Sequence, residues 1–122
     1  MSADVANDRL SSRVEIVQAT GAAGNTQVLS WVKNTGSTTI AAVDKSDVFF
    51  GLQTDFARIP YDSDPGCTAP CWTFSVENDT RWNPTSTIKI TVELTDPLVA
   101  GSTYYFKIVG PNGIEDTKFF TL

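Results

Sequence analysis

The stretch at residues 87–94 sets the terms for the whole chain. In Thr87-Ile88-Lys89-Ile90-Thr91-Val92-Glu93-Leu94 every second residue is apolar, with Thr, Lys and Glu between. Period 2 puts Ile88, Ile90, Val92 and Leu94 on one face and the polar residues on the other, the pattern of a strand with one face in a core. Asp96-Pro97 and then Gly101 interrupt the run, and residues 103–109 follow as a second strand rich in aromatic and β-branched side chains. Gly110-Pro111-Asn112-Gly113 supplies a turn, because Pro presets φ while Asn and Gly tolerate positive φ. Residues 114–121 return as a third strand. Read in order, the three form a meander. With no helix to cover it, such a meander must bury its apolar face against a second sheet.

The earlier chain supplies that sheet. Residues 13–19 read as a strand with Val14 and Ile16 on one face, and residues 21–25 as a turn. Residues 27–34 are apolar on both faces, the mark of a central strand, and Trp31 reads as a core tryptophan. Residues 38–43 are short and weak and read as an edge strand, and residues 47–51 as a short apolar strand. Regularity is lost across residues 52–70, where Phe56, Ile59 and Tyr61 stand in a long loop. A loop of that length either carries function or covers the open end of a sandwich. Trp72, Phe74 and Val76 alternate inward in the next strand, and Trp82, near Pro84, reads as a clamp on a strand crossing. The expected fold is therefore all-β, an immunoglobulin-like β-sandwich of about seven or eight antiparallel strands. It spans residues 13–122; residues 1–12, small, polar and charged, read as a flexible tether.

Composition narrows the chemistry. The chain has 122 residues, enough for one domain, and no histidine. That removes the commonest general base, the Ser-His and Cys-His nucleophile pairs and most catalytic zinc sites. A net charge of −5 with nine scattered Lys and Arg argues against nucleic acid as a partner. Asp44 and Asp47 flank Lys45 without the glycine and terminal glutamate of a calcium loop. Asp62 with Asp64, and Glu77 with Asp79, are the carboxylate pairs a glycosidase would need, but neighbours in turns are ordinary surface chemistry. No catalytic residue, metal or cofactor is expected.

Cys67 and Cys71 are too few for structural zinc and too far apart for a redox Cys-x-x-Cys, so a local disulfide is expected, stabilising by about 2 kcal/mol through loop entropy. A disulfide belongs to an oxidising compartment, and Asn78-Asp79-Thr80 is a formal N-glycosylation acceptor. Met1 nevertheless opens on a polar stretch with no signal peptide or anchor. Either the cysteines are reduced in a cytoplasm or the chain is an excised portion whose anchor lies upstream; the second reading is preferred. A sandwich without chemistry acts through its surfaces, and exposed strand edges favour strand-by-strand association. The expected interface residues are Ile40 and Val43 on one edge, Lys118 and Phe119 on the final strand, and Phe56, Ile59 and Tyr61 in the loop.

Five segments carry a resemblance: residues 47–51, 58–61, 71–78, 87–90 and 104–114. In order and spacing they resemble the soluble domains of the FlaF/FlaG family, stator proteins of the archaeal motility filament (the archaellum), over a span from about Val14 to the C-terminus. No single motif carries the likeness, which favours the FlaG type and leaves the FlaF type as its alternative. What the resemblance implies is a structural, non-catalytic stator subunit whose sandwich lies outside the cytoplasmic membrane, in the pseudo-periplasm beneath the surface layer. It further implies self-association into homo-oligomers, pairing with a FlaF-type stator protein, and indirect contact with the surface-layer protein. The membrane would be met only through an N-terminal helix preceding Met1, with residues 1–12 as its juxtamembrane stalk. The readings in other classes are a generic extracellular β-sandwich that binds protein or carbohydrate through residues 56–72, and a glycosidase acting through Asp62.

Overall fold

Burial follows the alternation of the sequence. In the strand Thr87–Glu93, Ile88, Ile90 and Val92 are fully buried while the residues between them are half-buried. The computed structural model describes residues 12–64 and 67–122. Its strands are β1 (Val14–Gly21), β2 (Gln27–Asn34), β3 (Asp47–Leu52), β4 (Asp55–Ile59), β5 (Cys71–Glu77), β6 (Thr87–Glu93), β7 (Thr103–Val109) and β8 (Glu115–Thr121). They form two four-stranded antiparallel sheets in the orders β1-β2-β6-β5 and β4-β3-β7-β8, the arrangement of an immunoglobulin-like sandwich.

Val28, Val32, Ile88, Ile90 and Val92 from the first sheet meet Val48, Phe50, Phe106 and Ile108 from the second, and Trp72 and Trp82 close the layer between them. Tyr104, near the start of β7, places its hydroxyl 2.8 Å from the Val99 N–H, which donates to it. That is the tyrosine corner found in this fold class.

Both lateral seams of the sandwich are stitched. On one side the strand register shifts between Ile16 and Gln18, leaving Val17 unpaired in a bulge, and the Ile16 N–H donates to the Asp116 carboxylate of β8 at 2.8 Å. On the other, the chain leaving β4 crosses to the first sheet, where the Trp72 N–H donates to Pro60 O and the Asp62 N–H to Trp72 O, each at 3.0 Å.

Four expectations are corrected here. The last three strands are not a meander: β6 pairs with β2 and β5, and residues 94–102 carry the chain over the sandwich end, anchored by buried Leu98, before β7 begins in the other sheet. Trp31 is not in the core. It sits half-buried on the outer face of β2, and the core tryptophans are Trp72 and Trp82. Residues 38–43 make no strand; Ile40 forms one bridge to Trp82 and a 3-10 turn follows at Val43–Lys45. Residues 55–59, expected as loop, are β4, joined to β3 by the tight Gln53-Thr54 turn. The expected tether, residues 1–12, lies outside the described residues except for Ser12, which is buried with its hydroxyl 3.2 Å from that of Thr38.

Candidate assembly surfaces

The two outer faces of the sandwich differ in what the strand register brings together. On the second sheet, Phe56 of β4, Gly51 of β3, Tyr105 of β7 and Phe119 of β8 lie in one row across the strands. Phe56 and Tyr105 stack at 4.1 Å between ring centroids across the glycine, and Phe119 meets Tyr105 edge-on at 5.3 Å. Gly51 is required for this approach: a Cβ there would come within 2.5 Å of Asp55 O and 2.6 Å of Phe56 Cα. Phe56 is 45 % exposed and Phe119 54 %.

The next row holds Arg58, Phe49, Lys107 and Thr117. The Lys107 ammonium lies 5.9 Å from the centre of the Phe49 ring and 3.4 Å from Glu115, and Arg58 Nε donates to Asp47 at 2.8 Å. An apolar strip is thus bordered by paired charges, the anatomy of an association surface with an apolar centre and a polar rim. Phe56 and Tyr105 each cover one face of the other, while Phe119 meets Tyr105 edge-on.

The expected interface residues divide accordingly. Phe56 and Phe119 are brought together on this face, and Tyr105, which the sequence did not single out, joins them. Ile40, Val43 and Ile59 are corrected: at 5 %, 7 % and 5 % exposure they pack in the core and present almost no surface. Lys118 is half-buried on the core-facing side of β8, paired with Phe106, so it points away from the aromatic row. Tyr61 is half-buried at the β4-to-β5 seam, edge-on to Trp72 at 4.8 Å. Burial first, then the Asp44 and Asp62 carboxylates, push its phenol pKa up.

Cys67 and Cys71 are bridged, with Cα atoms 6.5 Å apart. Asn78 is exposed in a turn with φ 55°. The neighbouring Asp79 carboxylate accepts from the Ser86 hydroxyl, from the Thr80 N–H at 2.7 Å and from Asn83 Nδ2 at 3.1 Å; those bonds, Ser86 first, hold its pKa below the ordinary 3.8.

Two clefts open at the ends of the sandwich. One, of about 450 Å³, lies beneath Phe56 and is walled by Leu52, Leu98, Val99 and Tyr104. The other, of about 500 Å³, runs beside β5 and is walled by Ile40, Ala42, Phe74, Val76, Arg81 and Trp82. Among the described residues no group of three His, Cys, Asp or Glu side chains could hold a metal ion, and no helix is long and apolar enough to cross a membrane.

Residues 2–120 match the family model of archaeal-type flagellin. The chain is 34 % identical over 123 residues to an uncharacterized protein of Archaeoglobus fulgidus, covering 94 % of this chain and 72 % of that one. Its structure is similar to the archaellum periplasmic stator protein FlaG from Sulfolobus acidocaldarius, with a TM-score of 0.77 and 30 % identity over 89 % of this chain and 99 % of that one. A similar match, with TM-score 0.77 and 30 % identity over 88 % of each chain, is to a chain of the FlaF and FlaG stator complex from the same organism.

Proposed function

The chain belongs to the archaeal-type flagellin family, and from that premise we propose that it is a FlaG-type stator subunit that self-associates through the aromatic row of its second sheet. It is a structural component of archaeal motility and not an enzyme, as its relatives are stator and filament proteins. The finer reading is that it works in the pseudo-periplasm, anchored by a preceding membrane helix, pairs with a FlaF-type partner and through it reaches the surface layer. Support comes from the FlaF and FlaG complex among its structural relatives and from the disulfide, which suits an oxidising compartment.

A stator must bear torque without deforming. The stitched seams and the bridged loop favour a rigid body, and a lateral contact passes load to neighbours. The observation that carries the reading is the in-register row of Phe56, Tyr105 and Phe119 left exposed on one face. Sedimentation velocity over a concentration series, alone and with the soluble domain of a FlaF-type protein, tests it. Concentration-dependent oligomers lost in Phe119→Lys are expected, together with a heteromeric complex; a strict monomer that ignores the FlaF-type domain would reject the assignment.

A further inference from the structure

We infer that the free edge of β5 is a docking groove for an extended strand donated by a different protein chain, independently of the aromatic face. β5 is the outermost strand of the first sheet, so among the described residues one side of its backbone has no strand beside it. In an antiparallel ladder alternate residues turn their N–H and C=O to opposite sides. Trp72 turns both groups away from β6, toward Pro60 and Asp62. Phe74 and Val76 share its orientation, and past Asp62 nothing among the described residues pairs with them. Four backbone groups are left at the edge, beside the cleft of about 500 Å³ whose walls include their own side chains.

A second observation points the same way. Trp82 lines this cleft at 1 % exposure, and its indole Nε1–H has no acceptor among the described residues. A buried donor without a partner is costly, and a carbonyl from an incoming main chain would satisfy it once the cleft wall shifts to let the strand dock, because the nitrogen itself is closed to solvent. The other three edges are blunted by devices that discourage strand addition. β1 is bulged and tied to Asp116; β8 turns Asp116 and Lys118 toward the core; β4 is short and runs into Pro60. β5 has neither bulge nor proline nor lysine.

The occupant follows from what is unpaired. Only polypeptide backbone offers alternating donors and acceptors at strand spacing, as in strand-addition recognition. Every strand among the described residues already has its place in a sheet, so none is spare to donate. A second copy's β5 carries the same wall of residues 39–44 beside its edge, which the pairing of two copies would have to accommodate twice.

The test uses amide exchange by NMR on the Phe119→Lys protein, in which the aromatic face no longer associates, and a synthetic peptide copying residues 87–94, a sequence that already pairs with β5 on its other side. In the free protein the Phe74 and Val76 amides should exchange at least about tenfold faster than those of Thr73 and Ser75. The peptide should slow them by at least about tenfold and shift tryptophan emission, and Val76→Pro, which deletes an outward N–H on an edge strand, should abolish both effects. The inference is overturned if the two amides are already as protected as their neighbours, or if millimolar peptide leaves them unchanged. It is overturned equally if sedimentation shows Val76→Pro converting an oligomer to monomer, since the occupant would then be a second copy.

Discussion

The outer face of the first sheet and that of the second are built from the same alternation and end as different surfaces. On the first, Trp31 is flanked across the strands by Gln18 and Lys89, with Leu29, Lys33 and Thr91 nearby, so one large ring lies among aliphatic stems and hydroxyls. On the second, three rings from three strands share one row because Gly51 leaves the space between two of them empty. A lone half-buried aromatic is ordinary surface, whereas contiguous rings form a patch that water covers badly. The difference lies in register, not in composition.

The comparison can be broken first at its keystone. Gly51→Val should cost about 3 kcal/mol in urea unfolding, because the new side chain has no room against Asp55 and Phe56, and should disperse the aromatic row as well. Unchanged stability would mean that β4 is not held against β3 as described. Phe56→Ala should weaken self-association about tenfold, or about 1.4 kcal/mol, in sedimentation equilibrium, with the fold retained by circular dichroism. Trp31→Ala sharpens the contrast from the other face: a loss of about 1 kcal/mol in stability with association untouched. An equal effect on association from both faces would erase the distinction.

The smallest effect is a control that lies on neither face. Asp79 has a folded pKa below its ordinary 3.8, so its contribution is present above that value and fades as the pH falls through the lower folded value. Asp79→Asn should therefore flatten the acid limb of the stability profile in pH-dependent thermal melts and leave association alone. An acid limb identical to the parent's would show that the turn does not depend on this carboxylate.

Part of the fold was legible because burial obeys period 2: the core residues of β6 are those the alternation selects, whereas β2, apolar on both faces, hid that Val28 and Val32 face inward and Trp31 outward. What was not legible depended on facts outside any one strand. β4 was hidden because the Gln53-Thr54 turn carries no glycine, asparagine or proline, so a hairpin had no signal. The change of sheet after β6 was hidden because a connection's composition does not say which sheet the next strand joins. Ile40 and Val43 sit in a short apolar run that reads equally as an exposed edge or as a plug under Trp82, and packing chose the plug. Phe56 and Phe119 were identifiable as large apolar residues at accessible positions. That they meet through Tyr105 could not be read, since register across β4, β3, β7 and β8 is a property of the assembled sheet.

The central claim, that the second sheet's outer face is where copies of this chain meet, is tested most directly by cysteine cross-linking. Thr117→Cys places a thiol beside the aromatic row, Lys89→Cys places one opposite Trp31, and the native cysteines are already paired with each other. Under mild oxidation the account predicts rapid covalent dimer from Thr117→Cys and little from Lys89→Cys. Dimer formation from Lys89→Cys alone, or at equal rates from both, would contradict it.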